Sequence, residues 1–101
     1  MIELGKKKYP RVFICDIDGT ILKHRKTMCD ILSNDPEILP GVRDKFNEMS
    51  IAGCTIILMT ARPESTREQT IKQLEKVELF YDQLIMGVGH GARVVINDLT
   101  T

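Results

Sequence analysis

Asp16 and Asp18 stand two residues apart directly behind the apolar run Val12-Phe13-Ile14-Cys15, with Gly19 and Thr20 following. On an extended chain, residues i and i+2 point the same way, so both carboxylates face one crevice and their mutual repulsion calls for a cation. Thr60 closes a second apolar run, Cys54 to Met59, and Asp98 follows a third, Val94-Val95-Ile96. In open α/β sheets the ligand crevice lies beyond the carboxyl ends of the strands. Three acids and a hydroxyl from distant parts of the sequence therefore converge on one place. Read singly each is ordinary: Asp16, Asp18 and Gly19 make a turn, Thr60 caps a helix, and Asn97-Asp98 ends a strand. Their joint placement at three strand ends favours a site. A calcium loop fits poorly, because Gly19 comes too soon after Asp16 for an EF-hand. A few hard oxygen donors point instead to magnesium, which keeps water ligands and works with phosphate.

The elements that must position these residues follow from the apolar patterning. Val12 to Cys15 and Cys54 to Met59 read as buried strands, and two runs apolar on both faces predict a parallel sheet covered by helices. Between them, Pro40-Gly41 opens a stretch with Val42, Phe46 and Met49 at helical spacing, ended by Gly53; Pro40 suits a first helical position. Residues 63–77 carry Ile71, Leu74 and Val77 on one side, with Ser65 and Glu68 at capping-box spacing. Leu84-Ile85-Met86 and Val94-Val95-Ile96 supply two more short strands. The link Gly87-Val88-Gly89-His90-Gly91 is too short for a helical crossover, so these strands pair as a hairpin or the link bends along the sheet end. Its glycines match no dinucleotide fingerprint, because no helix pattern follows them. Residues 20–39 show no firm period, and an irregular segment of that length is more often functional than idle.

Composition bounds the rest. A chain of 101 residues, 43% of them apolar, supports one core and one domain and argues against disorder. Fourteen basic against fourteen acidic residues argue against nucleic-acid binding through bulk charge, although residues 1–26 hold 7 basic and only 3 acidic side chains. Cys15, Cys29 and Cys54 are odd in number and lack CxxC spacing, which suits reduced, small apolar side chains in a cytoplasmic protein. The opening lacks signal-peptide pattern, and no apolar segment approaches the length of a membrane span. No membrane partner is expected.

Asp16-Ile17-Asp18-Gly19-Thr20 behind a strand, Thr60 closing a second, and Asn97-Asp98 after a further run resemble the haloacid dehalogenase superfamily of aspartate-nucleophile phosphotransferases, over residues 11–99. The chain is similar in outline to the phosphatase half of polynucleotide kinases and to short phosphatases linked to capsule or sugar-nucleotide biosynthesis. The resemblance implies a single α/β domain over residues 1–101, three-layer and Rossmann-like, with a parallel sheet flanked by helices and no large cap. Residues 1–10 would be an N-terminal extension and residues 20–39 the flap over the site. It further implies a magnesium-dependent phosphomonoester hydrolase. Asp16 would be the nucleophile that forms a phosphoaspartate, and Asp18 the general acid and base, its backbone carbonyl on the metal. Thr60 and the backbone N–H groups of Ile17, Asp18 and Ala61 would hold phosphoryl oxygens, and Asp98 would complete the magnesium site with Asp16.

Two departures from the family pattern matter. The Lys or Arg expected before the last acidic motif is absent from its usual place, and Arg93 is the first choice to replace it, His90 the second. Asn97 stands where many relatives carry a second Asp; it brings no charge, which weakens metal affinity. Lys23, His24, Arg25 and Lys26 form a basic stretch that either draws an anionic substrate to the site or is a solvated face. Arg62 either clamps a substrate anion or pairs with Glu64 at the surface. The expected substrate is a small phosphorylated metabolite such as a sugar phosphate, and the competing reading is a 3′-phosphatase on nucleic-acid ends. Two non-enzymatic readings compete as well: a receiver-like signalling module, disfavoured because the second strand ends in Thr60 without an Asp, and a catalytically silent relative that binds a partner. An exposed sheet edge would be covered either by further chain beyond residue 101, where relatives often continue into another helix or strand, or by a second copy of the chain.

Overall fold

The computed structural model describes residues 11–98, so the extension expected over residues 1–10 lies outside the described residues. Three strands, β1 (Val12–Cys15), β2 (Thr55–Met59) and β3 (Gln83–Ile85), form a parallel sheet in the order β1-β2-β3. The register pairs Cys15 with Leu58 and Met59 with Ile85, so the three strands finish along one edge. Asp16 and Thr60 are the next residues there. The connections carry a one-turn helix α1 (Met28–Ile31), then α2 (Val42–Ile51), and α3 (Arg67–Lys76) behind a 3-10 turn at Glu64–Thr66.

The core joins Ile17, Ile21 and Leu22 to Phe46 and Met49 of α2, Ile56 and Leu58 of β2, and Leu74, Val77 and Leu79, with Phe13, Cys15 and Leu84 packed against it. These sheet residues alternate along their strands and so share one face. Val12, Ile14 and Ile85 point the other way and are exposed. Two crossovers that advance in the same direction put their helices on the same side of a sheet. Among the described residues α2 and α3 supply the helical cover on that face, and no large cap is present. The parallel α/β sheet with helical cover and no large cap is the architecture the sequence implies, and among the described residues that cover lies on one face.

Local details differ from expectation. Gly41 is the N-cap of α2 and takes φ 80°, a left-handed conformation, so Pro40 lies ahead of the helix instead of in its first turn. The Ser65 and Glu68 capping box does not form, because residues 64–66 wind as a 3-10 turn and Thr66 becomes the cap, its hydroxyl donating to the Pro63 carbonyl at 2.7 Å. The strand expected over Val94-Val95-Ile96 is absent: the three side chains are 79%, 68% and 95% exposed. Propensity without a partner edge does not make a strand. Gly87, Gly89 and Gly91 all adopt positive φ and turn the link along the sheet end, where Val88 N–H donates to the Thr60 carbonyl and Gly87 N–H to that of Arg62. The hairpin alternative is thereby excluded, and among the described residues β3 pairs with β2 alone. Within residues 20–39, Leu22 bridges Ile38, Lys23 N–H donates to the Glu37 carbonyl, and Thr27 caps α1 by accepting from Asp30 N–H. The three cysteines are free thiols, Cys15 and Cys54 half-buried and Cys29 exposed.

Candidate active site

Beyond the end of β1 the chain turns sharply. Gly19 sits at φ 85°, its N–H donates to the Leu22 carbonyl, and the Ile17 carbonyl accepts from the N–H groups of Thr20, Ile21 and Leu22. Ile17 is thereby sunk into the core, leaving Asp16 and Asp18 on either side of it at the lip of a crevice of about 350 Å³. Thr60, Ala61 and Arg62 enter from the end of β2, His90 and Arg93 from the glycine-rich link, and His24, Met28 and Ile31 from the flap. The wall combines two carboxylates and two guanidinium groups with an apolar side of Met28, Ile31 and Pro63.

Arg93 is the cation on Asp16. Its Nη2 donates to Asp16 Oδ1 at 3.2 Å and its Nη1 to the Gly89 carbonyl at 2.7 Å, while its buried Nε has no hydrogen-bond partner among the described residues. His90 lines the crevice without entering that pair. Beside Asp16, burial first and the Asp16 charge second push the Cys15 thiol above its ordinary value of 9.0.

Arg62 does not take the surface pairing with Glu64; it lines the crevice from within. It is 4% exposed, and its fork closes on Asp18, with Nε to Oδ2 at 3.0 Å and Nη2 to Oδ1 at 2.8 Å. Its Nη1 donates to Thr70 Oγ1 at 3.1 Å and to Gln73 Oε1 at 2.6 Å. Glu64, the expected surface partner, pairs with Arg67 instead. The reason is local. Thr60 Oγ1 accepts from Arg62 N–H at 3.1 Å, a bond that folds the backbone behind β2 and aims the arginine inward under Asp18.

The remaining expected residues fall as follows. Thr60 and Ala61 line the crevice; Ile17 lies beneath it. Lys23 is turned away, its Nζ 3.9 Å from Glu37, and His24 occupies the wall in its place. Asp98 is exposed and is not part of the wall. Among the described residues no three His, Cys, Asp or Glu side chains are grouped to hold a metal, so Asp98 is not gathered with Asp16 and Asp18. Among the described residues no strand forms over residues 94–98 to carry Asp98 to the sheet end. The carboxylate of Asp16 and the backbone carbonyl of Asp18 are hard oxygen donors, the chemistry that magnesium takes together with phosphate and water. The residues present fit that ion.

A family model of haloacid dehalogenase-like hydrolases matches residues 13–100. The chain belongs to this family. Among solved structures, this haloacid dehalogenase-like hydrolase is similar to a chain in the structure of the Pnkp1/Rnl/Hen1 complex, with 25% identity and TM-score 0.69 over 88% of its own length and 32% of that chain. It is also similar to a chain in the Pnkp1/Rnl/Hen1 RNA repair complex, with 28% identity and TM-score 0.66 over 76% of its length and 25% of that chain. It therefore spans a third or less of those two chains. A structural-genomics target from Vibrio cholerae shares the fold at 17% identity and TM-score 0.63, covering 85% of this chain and 79% of that one. No curated protein matches the sequence.

Sequence reasoning missed Thr70 and Gln73. A signal was present: both fall at the three-to-four spacing of Leu74 and Val77, so two polar side chains were placed on the buried stripe of α3. Buried polar groups need partners, and Arg62 is theirs.

Proposed function

We propose that this crevice is the active site of a magnesium-dependent phosphomonoester hydrolase that works through a phosphoaspartate on Asp16. The observation that carries the reading is the pairing of Asp16 with Arg93 and of Asp18 with Arg62 around one crevice at the sheet end. In the first step an Asp16 carboxylate oxygen attacks phosphorus, the ester P–O bond breaks, and the leaving oxygen takes the Asp18 proton. In the second step water attacks phosphorus, its proton returns to Asp18, and inorganic phosphate leaves with Asp16 restored. Thr60 and the backbone N–H groups of Ile17, Asp18 and Ala61 hold phosphoryl oxygens, and the Arg93 guanidinium beside Asp16 offsets their charge. Asp16 and the Asp18 carbonyl would hold magnesium, with Asp98 joining them on movement of residues 94–98. When bound, the ion offsets repulsion between the carboxylate and an anionic ester.

A small ester such as a sugar phosphate suits a crevice of about 350 Å³ on a chain with no net charge. The second reading, a phosphate on a nucleic-acid end, is favoured by the likeness to two structures of a Pnkp1-containing complex, one of them described as an RNA repair complex. Incubation with magnesium and a generic phosphate ester tests the proposal. Hydrolysis should fall by at least ~10³-fold in Asp16→Asn, because the other carboxylate in the crevice, Asp18, is held by Arg62 and does not replace the nucleophile. Equal turnover by the parent and Asp16→Asn, or none by either, would leave a silent binding module as the better reading.

A further inference from the structure

We infer that Gln73 is a positioning residue that ties the flap to the acid–base carboxylate, so that one buried amide sets both where the flap lies and how Asp18 meets the leaving group. The inference rests on the phosphomonoesterase reading for the role of Asp18. Gln73 sits on α3, 4% exposed. Its Oε1 accepts from Arg62 Nη1 at 2.6 Å, while its Nε2 donates to the carbonyls of Ile31 at 2.6 Å and Ser33 at 2.7 Å. The orientation of the amide is forced, because a guanidinium only donates and carbonyls only accept. The same Arg62 grips both oxygens of Asp18. A continuous, largely buried chain of hydrogen bonds thus runs from the flap backbone at residues 31 and 33, through one amide and one guanidinium, to the carboxylate that protonates the leaving oxygen; Arg62 Nη2 adds a longer direct bond to the Ile31 carbonyl at 3.5 Å, and Lys76 Nζ holds the Asn34 carbonyl beside it.

Thr70 marks the two ends of this chain as separable. It accepts from the same Nη1 at 3.1 Å and, among the described residues, makes no hydrogen bond to the flap, so it steadies Arg62. Glutamate at 73 would keep the acceptor for Arg62 and lose the donors to the flap; methionine would lose both at similar length. The flap end matters to substrate because Met28 and Ile31 line the crevice beside Asp18, where the leaving group must lie to take its proton.

The test compares the parent with Gln73→Met, Gln73→Glu and Thr70→Val on two esters, p-nitrophenyl phosphate, whose leaving group needs little protonation, and glycerol phosphate, whose leaving group needs it. Trypsin cleavage after Lys26 gives a readout of flap release that requires no activity. Gln73→Met is expected to lower kcat on glycerol phosphate ~30-fold and on p-nitrophenyl phosphate less than ~3-fold, and to speed cleavage at Lys26 ~10-fold. Gln73→Glu should keep the ratio of the two kcat values within ~3-fold of the parent, raise KM, and expose Lys26 as much as Gln73→Met does. Thr70→Val should shift the kcat ratio and leave cleavage at the parent rate. Equal losses on both esters, an unchanged kcat ratio in Gln73→Met and Thr70→Val, or unchanged cleavage in both Gln73 variants would overturn the inference. Should Gln73→Met fail to fold, the contrast between Gln73→Glu and Thr70→Val carries the same test. Failure of the phosphatase reading would appear separately, as hydrolysis that does not depend on Asp16, and the trypsin comparison would still decide the link to the flap.

Discussion

A guanidinium buried to 4% exposure survives only if its donors are occupied, and Arg62 meets that condition with Asp18, Thr70 and Gln73. Removing one partner of such a pair strands the others, which is why breaking a buried pair costs more than the pair contributes. Arg62→Met is expected to destabilise the fold by about 2–3 kcal/mol, discounted because Asp18 keeps 21% of its side chain exposed. The double variant Arg62→Met with Asp18→Asn should recover part of that loss in urea unfolding. Equal losses in the single and double variants would show that the pair carries no such strain. The same crevice shapes thiol chemistry. Burial and the Asp16 charge both push the Cys15 thiol upward, so less thiolate is present at a given pH. Iodoacetamide at mildly alkaline pH should label the exposed Cys29 before Cys15, and Asp16→Asn should speed labelling of Cys15 by removing one of the two causes.

The elements are held at their ends as much as along their length. Asp82 stands just before β3, its Oδ2 accepting from Ile56 N–H at 2.7 Å while its own N–H donates to the Ile56 carbonyl at 2.8 Å. This reciprocal pair fixes where β3 joins β2, and so where the glycine-rich link with Arg93 begins. Asp82→Ala should cost about 1 kcal/mol, read as a lower urea midpoint and faster amide exchange at Ile56. At the far end of α3, Arg43 of α2 donates through Nε and Nη2 to the Val77 carbonyl, at 3.2 and 3.0 Å, and ties the two helices across the core. Helix α3 was legible because Ile71, Leu74 and Val77 repeat at a helical period, and β1 because four consecutive apolar residues make a run of strand length. The turn at Glu64–Thr66 was not, because a hydroxyl can cap a helix or bond back three residues with similar ease, and only the packed context selects between them.

For the molecule as a whole, zero net charge and local pairing of the basic stretch limit long-range attraction. Lys23 and Arg25 lie 3.9 and 4.0 Å from Glu37, which offsets part of the positive field at the flap. Hydrolysis of a small sugar phosphate should therefore change by no more than ~2-fold over a salt range in which phosphate-tracking proteins lose ~10³-fold. A steep loss confined to an oligonucleotide 3′-phosphate, with that substrate preferred, would move the assignment to nucleic-acid ends. No described helix is long and apolar enough to cross a membrane.

The sequence by itself determined the parallel α/β plan and the acidic turn behind the first strand, because both depend on short-range patterning: apolar runs of strand length, and two carboxylates an even number of residues apart. The family resemblance put Arg93 ahead of His90 as the cation, and the structure places Arg93 on Asp16. Only the tertiary structure decided the partner of Arg62, since its acceptors come from the turn behind β1 and the buried face of α3, 44 and 8–11 residues away. Only the tertiary structure showed that Val94-Val95-Ile96 remains outside the sheet, because a strand exists through the edge it pairs with and no local pattern supplies that edge.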